Sequence, residues 1–490
     1  MQLVTTGNAA PLPWAAVPVL DIDAFRRTVI DAVAAGRRLL FLGGIWREGK
    51  ALRLLAALAD DRGGEIGLCA SDVGAFYPAL TPDVTSAHYF EREIFEQWGV
   101  EPQGHPWLKP VRFPPGGPKI GSVDFFKVAG EEIHEVAVGP VHAGVIEPGH
   151  FRFNCHGERV LHLEIALGYQ HRGVERALRG GPHRNSIHLA ETVAGDTTIG
   201  HAIAYCQVLE GLAGSECSRR ALSLRAVALE LERIANHIGD LGALAGDVGF
   251  LPAASYCGRL RGDVLNLTME LCGSRLGRGF VRPGGVAQDP DAERLAVVRR
   301  RLAVAARDMR NAVGLMWKSS SLRARFEATA PLSREAAEAL GATGPAARAS
   351  GVDRDARRDF PVPLYPRGGP AVVVGESGDI FARAMQRWRE IESSLAFLDA
   401  MLDDAGEGPA RESVGPLAPH ALVLSLVEGW RGEILHLGVT DADCRLAQYR
   451  IVDPSFRNWF ASAMAMRGQA ILDFPLCNKS FNLSYCGHDL

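Results

Sequence analysis

The chain has 490 residues, 47% of them apolar and 22% charged, with a formal net charge of −4. That is the make-up of an ordinary globular protein long enough for two or three domains, and it lacks the basic surface needed for nucleic acid or a polybasic membrane patch. No apolar run approaches the ~18 residues that a bilayer demands, and the start, MQLVTTGNAAPLPW, has neither the charged nor the apolar region of a signal peptide; the expectation is a cytoplasmic chain that meets a membrane only through partners.

The first part mixes strand-like runs with helices. RRLLFLGGIW (residues 37–46) reads as a strand, and GKALRLLAALADD (49–61) as an amphipathic helix. FLGGIW lacks the G-x-G-x-x-G fingerprint and reads as a plain turn, so any NAD must be held by another subunit. Next comes GHPWLKPVRFPPGGPKIGSVDFF (104–126), where Pro114, Pro115, Gly116, Gly117 and Pro118 exclude a helix or a central strand. The expected division is a small α+β domain over 1–113, a linker over 114–135, and a larger, mainly helical domain over 136–490.

After residue 150 the pattern turns helical. Over 219–243, Val227, Leu231, Ile234, Ile238 and Leu241 recur at helical spacing as one apolar stripe. About 100° round the same helix, Glu230, Arg233, His237 and Asp240 form a polar stripe. Carboxylates and imidazole at that spacing suit a proton path; ion pairing on a solvated face is the alternative. Residues 341–370, rich in Gly, Pro and Arg, read as mostly loop, and helix resumes at DIFARAMQRWREIESSLAFLDAML.

Nine cysteines are scattered without a C-x-x-C pair. They are expected to be single buried thiols, forming no disulfide framework and leaving no iron–sulfur cluster in this chain.

Several separated stretches carry a resemblance. HYFEREIFEQWGVEPQGHPWLKP (88–110) resembles the signature of the 30-kDa-type subunit of respiratory complex I. GPVHAGVIEPGHFRF, GYQHRGVERAL, LELERIANHIGDLGALAGDVGF, RPGGVAQD, GPAARASGVDRDARR, VEGWRGEILHLGV and DFPLCNKSFNLSYCGHDL resemble, in order, its 49-kDa-type subunit and the large subunit of membrane-bound nickel-iron hydrogenases. The phrase EPGHFRF and the joining of both subunit types in one chain lean toward the energy-converting hydrogenases of the formate hydrogenlyase and hydrogenase-4 kind. The fold implied is α+β, with a hydrogenase-large-subunit-like second part.

In nickel-iron hydrogenases four cysteines hold the metals, in C-G-I-C and D-P-C-x-x-C motifs. Here the corresponding stretches are AGDT (194–197) and NLSYCG (482–487), so Ala194, Thr197, Ser484 and Gly487 stand at the thiol positions, and Cys486 lies one place out of register. Neutral hydroxyls are poor substitutes for soft thiolates. The resemblance therefore implies a site without metal, lined by Ala194, Asp196, Thr197, Ser484 and Cys486. Complex I binds a quinone head group in the corresponding cavity between a histidine and a tyrosine. His150 is the nearest match to the histidine, the tyrosine expected near Gly195 is missing, and Tyr205 is an open substitute.

His201 matches a histidine that follows C-G-I-C, and is either ligand-facing or a satisfied helix residue. Arg431 and Glu433 in WRGE match the family's P-R-G-E, with Trp430 replacing the proline. Glu230, Arg233 and His237 also fall on family motifs, as do His142, Tyr169, His171 and Arg172. His171 and Arg172 are expected to face a small iron–sulfur partner.

The implied role is a nickel-free oxidoreductase subunit, NADH:quinone oxidoreductase-like, that passes electrons from an iron–sulfur partner to a quinone-like acceptor, coupled to ion movement. Membrane-embedded antiporter-like and quinone-site-type subunits would be its other partners, and it would sit peripherally on the inner face of the cell membrane. The alternative is a scaffold that docks the membrane arm without redox chemistry.

Overall fold

Residues 2–49, 51–142, 144–362, 364–365 and 368–490 are described by a computed structural model of the chain. The first part runs β1 (Val4–Thr6), β2 (Leu12–Pro13), β3 (Val19–Leu20), α1 (Ile22–Ala34), β4 (Arg38–Glu48), β5 (Ala51–Asp60), β6 (Glu65–Val73), β7 (Phe76–Pro78), α2 (His88–Trp98) and β8 (Glu101–Gln103). Strands β1, β6, β5 and β4 form an antiparallel sheet in that order, and β3 joins β6 in parallel. Helix α1 starts at Asp21, whose carboxylate accepts the Ala24 N–H at 2.8 Å, and it buries Phe25, Val29 and Ala32 at i, i+4, i+7 spacing.

The stretch 51–60, expected to be helical, is instead the central strand β5, paired on one side to β4 and on the other to β6; position 50 lies outside the described residues. Leu54, Leu55, Ala56, Ala57, Leu58 and Ala59 are all buried. A strand covered on both faces loses the alternation that marks a strand in sequence, so its apolar run also fits a helix.

Among the described residues, 104–132 hold no helix or strand. Then β9 (Ile133–Val138), β10 (His150–His156) and β11 (Arg159–Ala166) form a small antiparallel sheet, followed by α3 (Val174–Leu178), α4 (Ser186–Glu191), α5 (Thr198–Ala213), α6 (Arg219–Asp247) and α7 (Leu251–Cys272). A two-stranded pair, β12 (Val281–Arg282) with β13 (Gly285–Val286), precedes α8 (Ala292–Lys318), α9 (Ser320–Phe326), α10 (Arg334–Ala339), α11 (Gly344–Ala349), α12 (Ala356–Asp359) and α13 (Ile380–Asp403). Residues 341–370 thus carry two short helices within their loop, and positions 363, 366 and 367 lie outside the described residues. Helix α6 packs between α7 and α13, and α8 closes the bundle against both.

The chain ends with β14 (Ala421–Gly429), β15 (Gly432–Thr440), β16 (Leu446–Val452), α14 (Pro454–Ala465), α15 (Phe474–Phe481) and α16 (Tyr485–Asp489). These strands form a sheet in the order β16-β15-β14-β2, closed at its edge by the N-terminal strand. Every residue of β14 and β15 is buried, because the sheet is covered on both sides. Leu422, Leu424 and Leu426 join the core of the N-terminal sheet, while Val423 and Val427 pack toward α5. The strand period of two therefore decides which half of the molecule each side chain serves.

Candidate functional site

The first vacated motif lies at the start of α5. Glu232 of α6 caps this helix, its carboxylate accepting the N–H groups of Ile199 at 2.7 Å and Gly200 at 3.2 Å. Burial pushes the Glu232 carboxyl up to about 8 against those hydrogen bonds. Asp196 forms an ion pair with Arg431, whose Nη2 donates to Oδ2 at 2.8 Å and whose Nε donates to the Asn482 carbonyl at 2.5 Å. Burial would raise Asp196, but the Arg431 charge and hydrogen bonds outweigh it and hold the carboxyl below its usual range.

Trp430, in place of the family's proline, donates from Nε1 to the Asp196 carbonyl and to Thr197 Oγ1, both at 3.1 Å. The Arg431 guanidinium lies over its ring, 3.9 Å from the centroid. The first and last motifs are joined through Arg431, which donates to Asp196 of the first and to the Asn482 carbonyl of the last. Arg172 adds a second link, donating to the Val193 carbonyl at 3.0 Å and the Cys486 carbonyl at 3.1 Å.

The four thiol positions do not suit a nickel centre. The Thr197 hydroxyl already accepts from Trp430 and from Arg431, and donates to Asp196 at 3.3 Å. Ser484 caps α16 by accepting the Gly487 N–H at 2.9 Å. A Cβ placed on Gly487 would stand 2.7 Å from Asp453 Cγ and 2.8 Å from its Oδ2, so the Asp453 carboxylate already takes the room of a side chain there. The Cys486 thiol is buried and pushed up to about 11, which keeps it neutral and a weak ligand.

Behind Asp453 stands a row of buried polar groups. His201 of α5 lies 3.0 Å from Asp453 Oδ2 through Nε2 and 3.0 Å from His436 Nε2 through Nδ1, and His436 Nδ1 lies 2.8 Å from the Tyr449 hydroxyl. His201 is thus hydrogen-bonded on both nitrogens inside the core. Asp453, His436, Tyr449 and Glu232 are participants that sequence reasoning did not single out; the Asp at the β16 end, beside a Pro-Ser, was the one visible signal.

The polar stripe of α6 is buried, not solvated: Glu230, Arg233 and His237 are each 0% exposed. Glu230 accepts from Arg233 at 2.9 Å, the Tyr365 hydroxyl at 2.9 Å and the Ser394 hydroxyl at 2.6 Å, and pairs with Arg357 at 3.3 Å. Burial alone would raise its carboxyl; the two arginines bring it down to about 2. His237 Nε2 lies 3.0 Å from Glu390, which pairs with Arg348 at 2.9 Å, and Arg348 pairs in turn with Glu428 at 2.7 Å and Asp355 at 3.3 Å. Asp240 pairs with Arg387 at 2.7 Å and accepts from Asn482 Nδ2 at 2.5 Å, tying the stripe to the last motif.

Other candidates stand elsewhere. Glu433 turns to the opposite side of the sheet, where Arg38 of β4 donates to it at 2.8 Å, so it joins the two halves of the molecule and not the contact between the motifs. The His150 ring stacks on Phe125 at 4.8 Å, and its Nε2 is buried without a partner among the described residues. It is the loop before it that reaches the last motif: Glu147 accepts the Tyr485 N–H at 3.2 Å, and a Cβ on Gly149 would stand 2.6 Å from the Tyr485 ring. His142 Nε2 lies 2.9 Å from the Gly149 carbonyl, and His171 Nδ1 lies 2.8 Å from the Asp489 carbonyl. Tyr205 is buried against Tyr449, their ring centroids 5.8 Å apart.

Residues 247–420 match the family of the 49-kDa subunit of respiratory-chain NADH dehydrogenase. The chain is similar to the D-type subunit of NADH-quinone oxidoreductase from Clostridium beijerinckii, with 31% identity over 337 residues that cover 68% of this chain and 91% of the relative. The chain belongs to that family. Within the 49-kDa-type family it is also similar to formate hydrogenlyase subunit 5 of Escherichia coli K12, with 28% identity covering 84% of this chain and 76% of the relative. The C/D-type subunit of NADH-quinone oxidoreductase from Bacteroides thetaiotaomicron is 28% identical over 73% of this chain and 74% of the relative, in keeping with the fused 30-kDa/49-kDa type. The relatives are thus subunits of complex I-like and hydrogenase complexes. Among the described residues, no helix of this 49-kDa-type chain is long and apolar enough to cross a membrane.

Proposed function

We propose that this chain is a nickel-free subunit of a membrane-associated, complex I-like oxidoreductase, which receives electrons from a small iron–sulfur partner and passes them to a quinone-like acceptor while membrane partners move ions. The observation that carries the nickel-free reading is Asp453 standing where a side chain at Gly487 would be, at 2.7 Å, with hydroxyls or a methyl group at the other three thiol positions. A groove of about 480 Å³, lined by the turn at 114–117 and by side chains of both signs, His171, Arg176 and Arg179 beside Glu96 and Glu175, supports a partner on that face. His150 supports the acceptor. Burial and the nearby Arg152 lower its pKa, so the ring is neutral, and its unpartnered Nε2 can hydrogen-bond a carbonyl brought beside Phe125. NAD, where used, would be held by another subunit. The division into 1–113 and 136–490 and a peripheral place on the inner face of the cell membrane belong to the same proposal.

The test is to purify the intact complex and measure nickel, iron and quinone reductase activity together, then repeat with His150→Ala. Nickel should be absent, iron present, and quinone-dependent turnover lost in the variant while assembly is retained. Stoichiometric nickel would overturn the first part of the reading, and normal turnover of the variant would remove the acceptor role from His150. A second reading, a scaffold that docks the membrane arm, is favoured by one observation: the Arg431 side chain spans Asp196 and Asn482 and so occupies the contact between the motifs. An assembled parent complex with no quinone reductase activity would decide for the scaffold.

A further inference from the structure

The row from Tyr449 to Asp453 crosses the molecule from β16 through β15 and α5 back to the end of β16, and all four side chains are buried. Its hydrogen bonds admit a consistent proton arrangement. Burial would raise the Asp453 carboxyl, but the His201 hydrogen bond and the Arg431 charge hold it below its usual range, so it accepts. His201 Nε2 then donates to it. In this arrangement His201 Nδ1 accepts from His436 Nε2 across the 3.0 Å contact. Burial holds His436 well below the usual imidazole range, so that ring is neutral and accepts at Nδ1 from the Tyr449 hydroxyl at 2.8 Å. All three donors point one way, toward Asp453.

We propose that Tyr449, His436, His201 and Asp453 form a proton path that delivers a proton to the Asp453 carboxylate beside Gly487. The transfer balances at each step. A proton arriving at the Tyr449 oxygen releases the phenolic proton to His436 Nδ1; the His436 Nε2 proton passes to His201 Nδ1; and the His201 Nε2 proton passes to Asp453 Oδ2. Each ring ends neutral in its other tautomer, so no imidazolium has to persist in the core. On the entry side Tyr205 lies against Tyr449 and hydrogen-bonds Ser186, at the edge of an exposed loop. On the exit side, Asp453 faces Arg431 from the β14–β15 turn and Gly487 of α16, and Glu232 of α6 caps the helix that carries His201. A proton on Asp453 changes the charge felt by Arg431, and through it the contact with Asp196 and Asn482. The path depends on neither the quinone nor the scaffold reading.

The test uses the full chain with 15N-labelled histidine, the two rings being assigned through His201→Gln and His436→Gln variants. At pH 7 both rings should appear as neutral Nε2–H tautomers. An imidazolium at either position, or an Nδ1–H tautomer on His201, overturns the path. Deuterium exchange of the His201 Nε2 proton should also be at least tenfold slower in Tyr449→Phe, since its relay to solvent is cut. An unchanged rate, with an unchanged melting temperature, overturns it equally. If Tyr449→Phe unfolds, the tautomers of the parent chain still decide.

Discussion

Helix α6 serves two buried polar regions that are built on opposite plans. Toward the start of α5 it offers Glu232, beside a linear row in which, among the described side chains, His201 hydrogen-bonds His436 and Asp453 alone. Toward the bundle it offers Glu230, Arg233 and His237, in a branched cluster where Glu230 alone has four partners. Branching fixes charges, because each has several reasons to stay where it is. A linear row of neutral rings does the reverse, letting a proton shift without leaving net charge behind. Burial of polar groups on one helix therefore carries no single meaning. The partner count of each group separates a support from a conductor.

The largest effect should come from breaking the branched cluster. Glu230→Gln leaves the Arg233 and Arg357 guanidiniums buried with less counter-charge and should cost about 3–5 kcal/mol in urea unfolding. The Glu230 carboxyl is near 2 in the fold against an ordinary 4.5, so its contribution is present above pH 4.5 and is lost as pH falls toward 2. The acid limb of the stability curve should flatten in the variant; a loss under about 1 kcal/mol would mean the cluster does not rely on that charge.

Next is the fourth thiol position. Gly487→Cys should destabilise by about 1–3 kcal/mol through crowding against Asp453. In the Asp453→Ala background the same substitution should cost much less, so the two changes must be non-additive. Additivity would show that Asp453 does not hold the space.

Glu232→Gln should act with the opposite sign. Because the folded-state carboxyl is near 8, the fold loses stability as pH rises from 4.5 to 8, and the glutamine, which does not ionise and whose single amide oxygen keeps one of the two bonds from Ile199 and Gly200, removes the pH-dependent part of that loss. Relative to the parent, the variant should gain stability between pH 4 and pH 8, read from urea midpoints at the two pH values. A pH-independent difference would place the Glu232 carboxyl in its ordinary range. Smallest of all, Asp263→Asn breaks only the exposed 2.7 Å pair with Arg259 on α7 and should leave the unfolding midpoint unmoved.

Much of this was legible in the sequence where spacing is local. The α6 stripes, the order of the motifs and the vacated thiol positions required only one helix or one short stretch each. Whether the Glu230 stripe was solvated was not legible, since ion pairs on a surface and in a core have the same spacing. The β5 strand was hidden because both its faces are covered. His436 and Tyr449 were invisible for another reason: they stand on β15 and β16, and only the pairing of Leu437 with Arg450 and Gly438 with Tyr449 sets them beside a helix more than 200 residues earlier. Register between distant strands is a tertiary fact. His150 illustrates the converse, a motif position whose loop, and not its ring, reaches the last motif.

The N-terminal strand has a consequence for how the chain is made. Asn8 brackets Leu426, donating to its carbonyl at 3.0 Å and accepting its N–H at 2.8 Å; the Ala9 N–H donates to Leu424 O and the Trp14 N–H to His420 O, each at 2.8 Å. Asn8 therefore leaves the ribosome 418 positions ahead of the residue it brackets. Cutting the chain between 114 and 130 would turn this edge pairing into an intermolecular one. Its formation would then depend on protein concentration instead of on the high effective concentration that a covalent connection provides. Joining the halves in one polypeptide thus makes the closing of the last sheet a first-order event.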